Sequence, residues 1–115
     1  MRTRKSVKTQ KPRYETGSGN VYADLGFPDA DDMLVKAQLV SKISEILEAQ
    51  GLTQIKAAAV LSIAQPKLSQ ILRGQFRGLS ERKLMDCLTR LGHDVQIRVR
   101  HAPKARQGAV SVVFS

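Results

Sequence analysis

Cysteine, histidine and long apolar runs are scarce in this 115-residue chain, and each scarcity excludes a class of protein. The one cysteine, Cys87, rules out a disulfide framework within the chain and favours a reducing compartment. With two histidines and no His/Cys cluster at ligand spacing, the sequence predicts no metal site and no cofactor. No apolar run approaches the roughly 20 residues of a membrane span, and the basic N-terminus lacks the apolar stretch of a secretory signal. We therefore expect a cytoplasmic protein without a membrane segment.

Residues suited to catalysis are equally scarce. His93 and His101 both lie near a predicted strand, and no nucleophile motif surrounds either of them. Gly17 and Gly19 do not follow a strand, so a phosphate-cradling loop lacks the structural context that it needs. The sequence predicts that the protein is not an enzyme.

Charge is distributed unevenly along the chain, whose net charge is +9. Residues 1–13 carry six Lys or Arg and no acid, residues 14–52 have a net charge of −5, and residues 53–115 have a net charge of +8. A basic chain favours a polyanionic partner and also allows an acidic protein surface. Charge alone does not distinguish DNA, RNA and an acidic protein as the binding partner.

Apolar residues at helical spacing predict four main helices. The longest covers residues 29–50, and a helical turn is predicted before it at 23–25. Two short helices follow within residues 53–74, the first capped by Thr53 and the second opened by Gln65 and Pro66. The last helix runs from a Ser80 cap to about residue 91. We expect the two short helices to bury Ile55, Ala58, Ala59 and, as a further candidate, Leu61 on the first, and Leu68, Ile71 and Leu72 on the second.

The apolar period changes after Gly92. Apolar and polar side chains alternate over residues 95–100, which is typical of a half-buried strand, and the valine-rich residues 109–114 are a second candidate. The pattern predicts a C-terminal β-hairpin. Because an isolated two-stranded hairpin is marginal in water, we expect it to pack on the helices, pair with a second copy or receive a strand from a partner.

The two short helices over residues 53–74, joined by a tight turn, have the sequence form of a helix-turn-helix DNA reader. The outward face of the second helix carries amides and cations but no carboxylate. Glutamine can pair with adenine, and arginine or lysine with guanine, so this face suits base edges in a major groove. An ordinary helical hairpin would explain the helices but not the absence of acids. The candidate DNA-binding residues on this face are Gln65, Pro66, Lys67, Ser69, Gln70 and Arg73.

In these motifs the chain resembles the lambda-repressor-like (Cro/C1, or XRE) helix-turn-helix family and, more narrowly, its HigA-like antitoxins. The resemblance covers about residues 18–100 and rests on SGNVYADLGFPDA at 18–30, LTQIKAA at 52–58, QPKLSQILRG at 65–74 and LGHDV at 91–95. It implies a mainly α, compact domain of four to five helices, to which the strand pattern adds a C-terminal β-hairpin or strand pair. The expected organisation is a flexible basic arm at 1–19, a helix-turn-helix DNA-binding domain at 20–92 and C-terminal strands at 93–115. The arm would contact DNA or serve only as a solubilising tail.

The resemblance also implies roles for individual residues. In this family, a glutamine that opens the first motif helix commonly holds a phosphate and braces a glutamine at the start of the recognition helix, and Gln54 and Gln65 match these places. It implies that Arg73 grips the DNA backbone. The family turn usually has glycine where Ser62 stands, so we expect a slightly different turn. By the same resemblance, the residues that reach bases or nearby phosphates are Gln65, Lys67, Ser69 and Gln70, with Pro66 shaping the start of the helix.

The function implied by the resemblance is sequence-specific transcriptional regulation by a homodimer on a palindromic operator in double-stranded DNA. The HigA-like branch implies an antitoxin that represses its own operon and neutralises a basic ribonuclease toxin. The acidic residues between 14 and 50 would suit such a toxin. A stand-alone phage-like repressor with no toxin partner is the alternative, and an RNA-binding protein is a third class. For the homodimer, the apolar C-terminal strands are the preferred interface and the last helix is the competitor.

Overall fold

The computed structural model describes residues 20–115, so the predicted flexible arm at 1–19 lies outside the described residues. The described part contains five α-helices, which confirms the mainly α fold. The chain divides into two units, with the boundary between Leu34 and Val35. The helices are α1 (Val21–Asp24), α2 (Ala30–Ala49), α3 (Gln54–Leu61), α4 (Gln65–Leu72) and α5 (Glu81–Arg90).

In the first unit, the buried Asn20 organises the short helix α1. Its Oδ1 accepts hydrogen bonds from the backbone N–H groups of Tyr22 at 3.0 Å and Ala23 at 3.2 Å. These bonds satisfy donors that the start of a helix leaves without an intrahelical partner. The Nδ2 of Asn20 donates to the carbonyl of Ala30 at 3.1 Å. One side chain thus links the starts of α1 and α2, and the helical turn predicted at 23–25 is the helix Val21–Asp24.

In the second unit, the remainder of the predicted long helix, α2, buries a wide apolar stripe. The helix ends before Gly51, whose φ of +67° lies in the left-handed region that favours glycine. The side-chain amide of Gln50 donates to the carbonyl of Leu91 at 3.1 Å and joins the end of α2 to the end of α5. Over residues 39–47, the buried side chains of α2 recur at intervals of three and four. They are Leu39, Val40, Ile43, Ile46 and Leu47.

The helices α3 and α4 pack against one another through small and branched apolar side chains. Ala57, Ala58 and Leu61 are the buried residues of α3, and Leu68 and Ile71 are those of α4. The alanines let the two short helices approach closely, because they place only a methyl group at the contact.

The prediction that Ile55 and Ala59 face inward is wrong: both are exposed, and Ile55 keeps 74% of its surface accessible. Each residue rotates an α-helix by about 100°, so a buried face centred on Ala57, Ala58 and Leu61 turns the other two away from it. Three alanines in succession left the phase of this short helix undetermined in the sequence.

The helix α5 is capped and buried as predicted. The hydroxyl of Ser80 accepts a hydrogen bond from the backbone N–H of Lys83 at 3.1 Å. Leu84, Cys87 and Leu88 are buried, so the free thiol of Cys87 lies among apolar side chains of the core. Burial raises the pKa of the Cys87 thiol above its usual value, because an apolar environment disfavours the thiolate.

The predicted C-terminal β-hairpin receives no support, because residues 20–115 contain no strand. Residues 93–115 are irregular, with a turn near residues 103–106 in which the N–H of Arg106 donates to the carbonyl of Pro103 at 3.2 Å. The alternating apolar side chains are largely solvent-exposed, and 78% of Ile97 and 91% of Val99 are accessible. A hairpin exposed on both faces buries little apolar surface, so pairing within one chain gains little in water.

Candidate nucleic-acid interface

The turn between α3 and α4 is built on Ser62. Its backbone adopts the left-handed conformation, with φ 56° and ψ 44°, and its N–H donates to the carbonyl of Ala59 at 3.3 Å. This conformation favours glycine, because a Cβ atom crowds the following carbonyl there. The chain therefore keeps a glycine-like backbone at this position despite the serine, and the two helices can change direction within three residues.

A second contact fixes Ser62 from the side of α5. The guanidinium of Arg90 donates to the Ser62 hydroxyl at 3.3 Å and to the carboxylate of Asp86 at 2.8 Å. The hydrogen bond from Arg90 holds the pKa of Asp86 below its usual range, and the nearby charge of Lys83 acts in the same direction. The helix-turn-helix turn is thus connected to α5 by a chain of polar contacts.

The first residues of α3 and α4 lie side by side. The amide Nε2 of Gln65 donates a hydrogen bond to Oε1 of Gln54 at 3.3 Å, across eleven residues of sequence. Both side chains are exposed, so their remaining donors and acceptors face solvent. The structure therefore contains the contact between these two glutamines that the family resemblance implies.

The other candidate residues are distributed around the exposed side of α4. Pro66, Gln70 and Arg73 follow helical spacing and lie opposite the buried Leu68 and Ile71. Arg73 caps the end of α4 rather than lying within it. Lys67 is exposed at one margin of this surface, while Ser69 is half-buried at the other. Ser69 therefore has the least accessible side chain of the candidates.

Sequence reasoning missed Lys36, which organises the loop that follows α4. Only 7% of Lys36 is exposed, and its Nζ donates to the backbone carbonyl of Arg77 at 2.8 Å. This bond joins α2 to the segment between α4 and α5, whose Phe76 is also buried. The available signal was a lysine among the apolar positions of α2, since such a cation needs a specific acceptor when buried.

The electrostatic character of this region is uniform. Residues 53–80 contain Lys56, Lys67, Arg73 and Arg77 and no Asp or Glu. A surface with cations, paired amides and a hydroxyl offers donors to phosphate oxygens and both donors and acceptors to base edges. Within the described residues no group of three or more His, Cys, Asp or Glu side chains could hold a metal ion. The amides, hydroxyl and cations of this surface can bind a partner through hydrogen bonds and charge.

Comparison with known proteins agrees with this geometry. Residues 21–100 match a protein family described as "Helix-turn-helix domain". The chain belongs to this helix-turn-helix family. The matched range contains every candidate DNA-binding residue and all five helices.

A solved structure designated a candidate XRE-family transcriptional regulator resembles this helix-turn-helix protein over most of its length. The TM-score is 0.71 at 36% sequence identity, and the similarity covers 76% of this chain and 100% of the other. No curated protein matches the chain significantly. Among the helices of residues 20–115, none is both long and apolar enough to span a bilayer.

Proposed function

We propose that the protein is a non-enzymatic, sequence-specific DNA-binding regulator of transcription that acts in the cytoplasm. The observation that carries this proposal is the pair Gln54 and Gln65, held together at the starts of α3 and α4. In the proposed complex, α4 enters the major groove, Gln54 holds a phosphate, and Gln65, Lys67, Ser69 and Gln70 reach bases or nearby phosphates. Pro66 shapes the start of the helix, and Arg73 grips the DNA backbone.

Selection from a random duplex library, followed by binding measurements on the enriched duplex, tests this function. We expect one enriched sequence, bound more tightly than scrambled duplex by about 10³-fold or more at physiological salt. Affinity should fall steeply with salt, because phosphate contacts release counterions. Binding to structured RNA that equals or exceeds binding to the enriched duplex would identify an RNA-binding protein instead.

We further propose that the protein binds a palindromic operator as a homodimer. Two recognition helices of one dimer would enter successive major grooves about 34 Å apart, one helical turn of DNA. The exposed apolar residues of the C-terminal segment, 93–115, support it as the preferred interface, and α5 is the competitor. Light scattering at operator-binding concentrations should give the mass of two chains. A single-chain mass would contradict the dimer of the free protein.

The proposed biological role is that of a HigA-like antitoxin, which represses its own operon and neutralises a basic ribonuclease toxin. The acidic residues between 14 and 50, whose exposed members include Asp24 and Asp31, support a basic partner. The same DNA-binding face would serve a stand-alone repressor. The two roles differ in genomic context, because an antitoxin requires a toxic neighbour.

Expression of each neighbouring gene alone, and then together with this gene, distinguishes these roles. An antitoxin should restore growth that a short basic neighbour inhibits, and the two proteins should co-purify. If no neighbour affects growth and no small protein co-purifies, the stand-alone repressor is the correct description. DNA binding is expected in either case.

A further inference from the structure

The C-terminal segment, residues 93–115, combines exposed apolar side chains with a net positive charge. Ile97 and Val99 are among its most exposed apolar residues. After Asp94 the segment contains no acid, and its cations are Arg98, Arg100, Lys104 and Arg106. In an extended conformation, residues 97 and 99 share one face and the arginines at 98 and 100 share the other. Such a segment fits a surface with an apolar floor and an acidic rim.

The second unit contains a groove of that kind, between α2 and the end of α4. Its volume is about 500 Å³. Val40, Leu72 and Phe76 contribute apolar surface to it, and Glu45 and Glu48 line its α2 side. On the other side lies Arg73, so the groove adjoins the proposed DNA-binding surface.

The two groove carboxylates have different surroundings. Glu45 pairs with Lys42 at 3.3 Å. Glu48 is exposed one turn further along α2 and has no ion pair with any residue in 20–115. A cation supplied from outside therefore finds its better acceptor in Glu48.

The chain's own C-terminal segment does not occupy this groove. The ring of Phe114 lies 5.3 Å from Nζ of Lys42, the ion-pair partner of Glu45, but no residue of 93–115 lines the groove. The groove and the C-terminal segment that complements it are therefore both exposed within one chain. Two copies related by a twofold axis can satisfy both pairs at once, because each gives a segment and receives one.

We propose that the groove between α2 and α4 receives residues 95–100 of a second copy, with Ile97 and Val99 toward its apolar floor and Arg98 at Glu48. This inference rests on the homodimer proposed above and names its contact surface. The long arginine stem lets the guanidinium reach a carboxylate on the rim while the strand backbone lies lower in the groove. Because Arg73 lines the same groove, the contact also connects dimer formation with the end of the recognition helix.

Charge reversal tests the contact through dimer dissociation constants, measured by sedimentation equilibrium on the full chain. Glu48→Arg and Arg98→Glu should each weaken the homodimer by about tenfold or more, because each places like charges together at both contacts. An equimolar mixture of the two variants should recover dimers, since opposite charges then meet at both contacts of the mixed dimer. Lys56→Glu changes the charge by the same amount as Arg98→Glu at an exposed position outside both the groove and the segment, and it should leave the dimer dissociation constant unchanged.

The same measurements give clear contrary outcomes. If the wild type dimerises and Glu48→Arg dimerises equally well, another surface such as α5 or direct strand pairing forms the interface, and this contact is overturned. A wild-type protein that is monomeric throughout overturns it as well. Circular dichroism verifies that each variant is folded. Binding of the wild type to its selected duplex is measured separately, so loss of this contact is distinguishable from failure of the proposed DNA-binding function.

Discussion

The amide of Gln65 donates to the side-chain oxygen of Gln54 at 3.3 Å, and this bond joins the first residue of α4 to the first residue of α3. A glutamine side chain has several rotatable bonds, and an isolated one at an exposed position samples many orientations. The bond between the two amides restricts both of them before DNA arrives. Restriction in advance reduces the entropy lost on binding, so the pair contributes to recognition by orientation as well as by contact.

We predict that Gln65→Ala weakens binding to the selected operator by about 1 to 3 kcal/mol and relaxes base preference at one position per half-site. The variant removes both the groups that face the base and the bond that orients Gln54. Fluorescence anisotropy on the operator and on its single-base variants measures both effects. Gln107→Ala, which truncates an exposed glutamine outside the helix-turn-helix, serves as the matched control.

The Gln54→Ala variant and the double variant determine whether the two amides act together. If Gln54 orients Gln65, the losses on operator DNA should be less than additive in a double-mutant cycle. Equal losses for Gln65→Ala on operator and scrambled duplex would contradict its role in reading bases.

Arg73→Ala should weaken binding to operator and scrambled DNA by similar factors. Arg73 is the C-cap residue of α4, and a backbone phosphate is its expected partner. Loss of one phosphate contact should lower the magnitude of the slope of log K against log salt concentration by about 0.9. Titrations at four salt concentrations measure the slope, with Lys104→Ala as the comparison. A loss confined to the operator would instead indicate contact with a base.

The parts of the fold that depend on local interactions could be predicted from the sequence. Thr53 and Ser80 each cap a helix by accepting from an N–H group three residues later, and Pro66 lies in the first turn of α4. The contact between Gln54 and Gln65 could also be predicted, because the family resemblance implies it for these two positions; their role in binding DNA stays a prediction. Such signals lie within a few residues or within one motif, so a single sequence contains them.

The parts that depend on tertiary packing could not be predicted. Packing against the other helices buries Ala57 and Leu61 and so sets the orientation of α3. The sequence pattern alone predicts the wrong face for Ile55. The strand pattern at 95–100 indicates a suitable conformation but not a partner, and the described chain supplies none. The hydrogen bond of Lys36 could not be predicted either, because its acceptor, the carbonyl of Arg77, lies 41 residues further along the chain. Each failure concerns a contact between elements that are distant in sequence.

Substitutions at Ser62 should separate backbone conformation from side-chain bonding. Ser62→Gly removes the left-handed penalty of about 1 to 2 kcal/mol, partly offset by the greater freedom of glycine in the unfolded chain and by the lost bond from Arg90. The expected change in unfolding free energy is between zero and about 1 kcal/mol of stabilisation. Ser62→Val should destabilise the protein by more than about 1 kcal/mol, because a branched Cβ crowds the turn further. Urea unfolding measures both, and a more stable valine variant would contradict this account of the turn.

Lys36→Met should destabilise the protein by about 1.5 to 3 kcal/mol. Methionine retains much of the apolar stem, while the charged hydrogen bond to the Arg77 carbonyl is lost and that acceptor is left in a partly buried position. Lys42→Met on the same helix is the control and should cost less than about 1 kcal/mol, since its pair with Glu45 is largely exposed. Equal effects of the two substitutions would show that the bond to the loop contributes nothing specific.

Operator binding should also weaken for Lys36→Met, because the loop follows the recognition helix directly.

The ion pair between Asp86 and Arg90 should make stability depend on pH in the acid range. The hydrogen bond from Arg90 lowers the pKa of Asp86 in the folded state, so the folded state favours the carboxylate more than the unfolded state does. Its contribution is therefore fully present above the ordinary carboxyl range near pH 4 and is lost as pH falls through the lowered pKa. Asp86→Asn should be less stable than the wild type at pH 7, and the difference should shrink towards pH 2. Because the pair is exposed, high salt should also reduce the difference. A difference in unfolding free energy that stays constant from pH 7 to pH 2 would show that the substitution acts through packing rather than through charge.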